Sequence, residues 1–383
     1  AYETLEPKET KWHITKWIGV IGCYFLMMFY TTVGGWMLYY CVRSFSGDFV
    51  GADMETVSAG FSDMLGNMPL MTFWTILICI IGFGVCAFGI QKGIEKVSKF
   101  MMTALLLIMI VLAVHSVMMK GAGAGIRFYL IPDFRQMAEI GIGNVIFGAM
   151  SQAFFTLSIG IGAMLIFGSY MEKDQRLFGE AVNITVLDTV VALMAGFIII
   201  PACFAYGIEP GAGPSLIFIT IPNIFAQVAG GRVWRGLFFL FLSFAAFTTL
   251  VAVFENIISF DMDLFGWSRK KSTLVSLILI IILSMPCVMG FNVLAGFTPL
   301  GEGSTIMDLE DFIVSNNLLP LGSLMYLLFC TSRYGWGWDR FIAEADAGKG
   351  IKFPQWARFY VSYILPLIVL FIFVMGYWQK FAA

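Results

Sequence analysis

Residues 152–164 read Gln-Ala-Phe-Phe-Thr-Leu-Ser-Ile-Gly-Ile-Gly-Ala-Met and lie inside a longer apolar run, 145–169. Ser158, Gly160 and Gly162 fall near its middle. A glycine in a helix interior costs up to about 1 kcal/mol relative to alanine, so two of them beside a serine favour an unwound stretch. Close packing of helices through small residues is the other reading of the same composition. Unwound backbone at membrane depth survives only where protein buries it or where it lines a cavity. Such breaks can place carbonyls on cations and half-helix ends on anionic groups.

The rest of the chain places this run in a bilayer. Of 383 residues, 59% are hydrophobic and only 13% are charged, and the mean hydropathy is +0.85. Soluble domains are about 45–50% apolar and about 25% charged, so a water-soluble fold is excluded, as is a disordered chain. Apolar runs at 18–42, 69–90, 100–118, 145–169, 181–206, 234–260, 273–290, 312–330 and 359–378 are each near the roughly 20 residues a membrane helix needs. They exceed the length of a barrel strand and lack its alternation. The expectation is an all-α polytopic membrane protein, a single transmembrane domain over 1–383 with nine transmembrane helices.

Charge sets the expected orientation. With the N-terminus inside, the inner connections hold 16 of the 23 Lys and Arg and the outer ones 7. By the positive-inside rule, the protein is a multi-pass protein of the plasma (inner) membrane, with a cytoplasmic N-terminus and an extracytoplasmic C-terminus. Segment 1–17 is then a cytoplasmic, loop-like stretch. Segment 207–233, with Pro210, Pro214 and Pro222, is an extracellular loop of short helices over the outer face. A net charge of −2 leaves no basic excess for nucleic acid. The seven cysteines form no C-x-x-C pair and read as packing thiols, and two histidines offer no metal cluster. No hydrolase triad, zinc-protease motif or nucleotide loop can be assembled, so the chain is not read as an enzyme.

Several polar residues inside the runs carry functional readings beside plainer ones. Asp188 lies in the fifth run with Asn183, Thr185 and Thr189. A carboxylate within a span is costly and points to function, and Thr156 could add a further oxygen for a hard cation. A carboxylate reaching the interface from a helix end is the alternative. Thr248 and Thr249 in the sixth run offer hydroxyls and loosened carbonyls, or simply a polar helix contact. Tyr30 in the first run is an amphipathic phenol that usually packs. The eighth run opens on Asp311, Ser315, Asn316, Asn317 and Pro320, which suits either a wet vestibule or an ordinary helix end.

At 155–162 the sequence resembles the neurotransmitter:sodium symporter family, in its bacterial amino-acid transporter branch. The resemblance extends through Phe29-Tyr30, Gly34-Gly35-Trp36, 91–96, 129–134, 169–174, 222–225, 244–249, 308–312 and 335–339. It implies helices three to eleven of the inverted-repeat sodium symporter fold, and roles for individual residues. Tyr30 would contact a substrate carboxylate, Leu26 and Val253 would line the pocket, and Phe155 would form its aromatic lid. Ser158, Gly160 and Ile161 would face the substrate from the unwound stretch. Thr156 and Asp188 match a first sodium site; Ala245 (through its carbonyl), Thr248 and Thr249 match a second, with Thr249 also beside the substrate. Asp311 resembles the acidic half of an outer gate, and Tyr170 and Asp263 resemble inner-gate residues. Chloride-dependent members place a serine where this chain has Ala192, and Asp188 supplies a fixed negative charge, so chloride is not expected.

The family has two helices before the point where this sequence starts. The first of them is itself unwound and contributes to both sodium sites, to the substrate carboxylate and to the outer gate. The resemblance therefore implies that the first two helices are missing here, either deleted or carried by the same or a separate chain. It implies sodium-coupled symport of an amino acid or related small molecule by alternating access, with this chain holding part of both ion sites. The alternative is a truncated, non-transporting membrane remnant or scaffold of the same family.

Overall fold

The computed structural model describes residues 2–49, 51–169, 171, 174–208, 210–211 and 213–381. Its principal helices are α1 (Lys16–Ser46), α2 (Met54–Gly66), α3 (Met68–Ala87), α4 (Lys96–Val117), α5 (Ile142–Thr156), α6 (Ala163–Ser169), α7 (Leu177–Ala205), α8 (Ile221–Gln227), α9 (Gly231–Phe265), α10 (Arg269–Met289), α11 (Ile306–Ile313), α12 (Leu319–Thr331) and α13 (Leu365–Phe381). No β-strand occurs among the described residues. Among the described residues, eight continuous helical stretches are long and apolar enough to cross a membrane. They correspond to eight of the nine apolar runs. The fourth run is interrupted: α5 ends at Thr156, α6 begins at Ala163, and 157–162 is not helical.

Local chemistry sets the boundaries. Asp53 caps α2 by accepting the Thr56 N–H at 2.9 Å, and Asn67 caps α3 by accepting the Leu70 N–H at 3.0 Å. Gly266, at φ +65°, ends α9 in the left-handed conformation that glycine adopts without a Cβ penalty. Four π-helical turns occur among the described residues: Ile90–Glu95, Leu216–Thr220, Val314–Leu318 and Tyr360–Ile364. After each of the last three a proline follows two residues later, Pro222, Pro320 and Pro366. Proline donates no hydrogen bond and its ring crowds the carbonyl four residues back. The wider turn relieves that crowding while the helix continues.

The chain divides into two compact units. The first comprises Ala1–Leu26, Phe134–Thr189 and Leu309–Ala383; the second comprises Met27–Asp133 and Val190–Asp308. Within the first, α12 packs against α13 and α5. Tyr2 and Trp12 close on Phe329 with ring centroids 4.5 and 5.6 Å away, and the Trp12 indole donates to the Tyr334 carbonyl at 2.7 Å. Arg176 donates to the carbonyls of Gly350 and Asp346 at 2.6 and 3.1 Å.

Within the second unit, α9 packs on α3, α4 and α10. Its core is aromatic: Trp36, Tyr40, Phe61, Phe218 and Phe239 interlock at centroid distances of 5.0–6.4 Å. Phe218 belongs to the stretch 207–233 and is 1% exposed. Glu255 on α9 is also 1% exposed and is held by the Arg269 guanidinium through two bonds of 2.6 and 2.8 Å. Arg269 also donates to the Cys86 carbonyl at 3.1 Å.

Removing one member of a buried ion pair strands the other charge and costs about 3–5 kcal/mol. Arg269→Leu is expected to lower the unfolding midpoint of the detergent-purified protein sharply. Glu255→Gln combined with Arg269→Leu should recover much of the loss, because no buried charge then remains. A double variant as unstable as the single one contradicts this account.

Candidate functional site

In the first unit the site is built around the interruption in the fourth run. Beyond Phe155 the backbone leaves the α-helix: the Ser158 N–H bonds the Phe155 carbonyl at 3.0 Å and the Ile159 N–H bonds the Phe154 carbonyl at 3.1 Å. Ser158 has φ +49°, Gly160 +99° and Gly162 +82°. A left-handed conformation is open to glycine but unfavourable for serine. Such strain at a non-glycine residue persists only where the surroundings enforce it, and it concentrates at functional sites.

Thr156 ends α5 at the lip of this break. Its hydroxyl donates to the Asp188 carboxylate, in the middle of α7, at 2.9 Å. Thr185 and Thr189 do not share in this contact. Their hydroxyls donate to the Ala181 and Thr185 carbonyls of their own helix, both at 2.8 Å. Of the oxygens that the sequence brought near Asp188, the structure joins the one from the distant run. A carboxylate and a hydroxyl are the hard oxygen donors that an alkali or alkaline-earth cation takes.

The other residues of the first unit that the resemblance assigns to the substrate differ in burial. Leu26, Gly160 and Ile161 are buried; Phe155 and Ser158 are half-buried. Asp311, on α11, is exposed and accepts a bond from Ser315 at 2.8 Å. Tyr170 lies outside the described residues.

The second unit holds the other group. The Thr248 and Thr249 hydroxyls both donate to the Ala245 carbonyl, at 2.9 and 3.3 Å. One carbonyl and two hydroxyl oxygens therefore converge at one point on α9. All three residues are half-buried, although Ala246, Phe247 and Leu250 between and beside them are buried. The Tyr30 hydroxyl on α1 lies near the Thr249 side chain. Val253 is buried one turn further along, and Asp263, near the end of α9, is exposed.

Three features were not read from the sequence. Gly322 and Ser323 on α12 lie against Gly160, and Gly19, Gly22 and Cys23 on α1 lie against Ile161. The available signal was a Gly-Ser pair and a Gly-x-x-Gly spacing inside apolar runs, which are common in membrane helices for packing alone. Arg269 counts as a loop cation in the charge tally, yet it neutralises a buried glutamate. Glu255, a lone acid in an apolar run, was its signal.

Comparisons with known proteins agree with this architecture. The family model described as the sodium:neurotransmitter symporter family matches residues 53–382. An uncharacterized sodium-dependent transporter of Bacillus subtilis, YhdH, is 34% identical over 380 residues, covering 98% of this chain and 81% of the relative. An uncharacterized sodium-dependent transporter of Haemophilus influenzae is 31% identical, covering 95% of this chain and 79% of its own length. The crystal structure of MhsT in complex with L-phenylalanine superposes with a TM-score of 0.85 at 34% identity, covering 96% of this chain and 82% of that one. With its broken fourth run and its oxygen clusters on α7 and α9, the chain belongs to the sodium:neurotransmitter symporter family.

Proposed function

We propose that the protein couples the inward movement of sodium to symport of an amino acid with an apolar side chain, by alternating access. The observation that carries this reading is the Thr156–Asp188 oxygen pair at the lip of an unwound, glycine-bearing segment. Thr156 and Asp188 would hold one sodium ion, and the Ala245 carbonyl with the Thr248 and Thr249 hydroxyls would hold a second. A bound cation would offset the Asp188 charge. That charge is otherwise costly in a span, so occupancy of the site and stability of the broken helix are linked.

Tyr30 would hold the substrate carboxylate. Ser158, Gly160 and Ile161 would present backbone and one apolar side chain to the substrate, with Leu26, Phe155, Thr249 and Val253 as further lining. The apolar character of Leu26, Phe155, Ile161 and Val253 supports an apolar side-chain pocket, and the L-phenylalanine in the MhsT structure supports an amino-acid substrate. Asp311 would serve an outer gate, and Tyr170 and Asp263 an inner one. The excess of Lys and Arg in alternate connections supports a cytoplasmic N-terminus and an extracytoplasmic C-terminus.

The decisive measurement is uptake of a panel of radiolabelled amino acids by the complete gene product in vesicles, with and without a sodium gradient. Apolar amino acids are expected to accumulate only with the gradient. Asp188→Ala is expected to abolish that dependence while the protein still inserts and purifies; an unaltered sodium response would remove Asp188 from the ion site. Replacing chloride by gluconate is expected to leave the flux unchanged, because Asp188 already supplies a fixed anion. A loss of flux in gluconate would contradict this role.

A further inference from the structure

We propose that Gly322 on α12, together with Gly22 on α1, fixes the depth of the unwound segment and thereby selects substrates by size. Both are positioning residues that act through Gly160 and Ile161. The inference rests on the transport reading above and adds residues to it.

The contact between α12 and the break is backbone on backbone. A Cβ placed on Gly322 would stand 2.8 Å from the carbonyl carbon of Gly160 and 3.1 Å from its Cα. A Cβ placed on Gly160 would in turn stand 2.9 Å from the Ser323 hydroxyl and 3.0 Å from the Leu319 carbonyl carbon. Each glycine therefore leaves the space that the other occupies. The Ser323 hydroxyl, 4% exposed, donates to the Leu319 carbonyl at 2.7 Å, so this polar group is satisfied where the segment lies against it.

A second contact comes from α1. The Cys23 thiol donates to the Ile161 carbonyl at 3.5 Å. A Cβ on Gly22 would meet the Ile161 γ2-methyl at 2.8 Å, and one on Gly19 would meet the Ile161 carbonyl oxygen at 3.0 Å. Tyr326 of α12 brings its hydroxyl within 3.1 Å of the Cβ position of Gly162. Three consecutive unwound residues thus each rest on a neighbouring helix through small or polar groups.

The two glycines differ in what a methyl group would meet. At Gly322 the obstacle is main chain, which cannot rotate aside, and closely packed protein transmits such a displacement. At Gly22 the obstacle is the methyl of a side chain. Gly322→Ala should therefore shift the substrate-facing backbone itself, whereas Gly22→Ala should shift the Ile161 side chain. One methylene of room in an apolar pocket changes discrimination about tenfold or more.

The test is sodium-driven uptake of alanine, leucine and phenylalanine, read as Vmax/KM for each. Gly322→Ala is expected to change the phenylalanine-to-alanine ratio about tenfold. A purely structural defect would lower all three substrates together and leave the ratio alone. Gly22→Ala, Ile161→Ala and the double variant form a cycle that does not require Gly322→Ala to fold. The double variant should depart from additivity in that ratio by about fivefold, because Ile161→Ala deletes the methyl that Gly22→Ala meets. An unchanged ratio in folded Gly322→Ala, or an additive cycle, overturns the positioning role. No sodium-driven uptake of any of the three by the unaltered protein overturns the amino-acid reading on which it rests.

Discussion

Main chain cannot be left bare in an apolar medium. A continuous helix meets this condition by itself, since every internal N–H finds a carbonyl within the same segment. At 157–162 the protein gives that solution up, so neighbouring elements must make good what the helix no longer supplies. The Cys23 thiol donates to the Ile161 carbonyl, Ser323 and Tyr326 lie beside Gly160 and Gly162, and glycines at 19, 22 and 322 let their helices come close. Two residues before Gly160, Ser158 holds a left-handed φ that a serine would not choose alone. The interruption is therefore maintained by packing, and packing that maintains it can also bias it.

A similar economy governs the charges of this multi-pass membrane protein. Glu255 has an obligatory partner in Arg269, a pair whose geometry is bidentate and closed. Asp188 has only partial support of that kind, a hydroxyl at 2.9 Å. The first acid is neutralised by the fold; the second is held by a hydroxyl, and it is the one that the proposed function gives to a sodium ion.

Much of the architecture was legible in the residues because a bilayer leaves few options. Nine apolar runs translate into eight continuous helices and one broken one, and the break falls where Gly160 and Gly162 place it. The left-handed backbone at Ser158 was not legible, since no property of serine calls for it. The partner of Asp188 was legible only as an open set. Thr185 and Thr189 lie nearer in sequence, but each satisfies its own helix. Pro320 reads in sequence as a helix opening, whereas the helix passes through it by widening one turn. Contacts between distant runs, such as Gly160 with Gly322, carry no local signature because small residues serve many purposes in membrane helices.

The π turn at Val314–Leu318 also has a bearing on direction. An α-helix advances about 100° per residue, and a π turn accommodates one residue more than the regular spiral. Everything before it is consequently rotated by roughly that angle relative to everything after it. Asp311 precedes the turn, and Gly322 and Ser323 follow it. The widened turn thus works as an angular offset: one helix can aim a carboxylate along one bearing and a glycine seat along another. Deleting a single residue there would keep the helix and lose the aim.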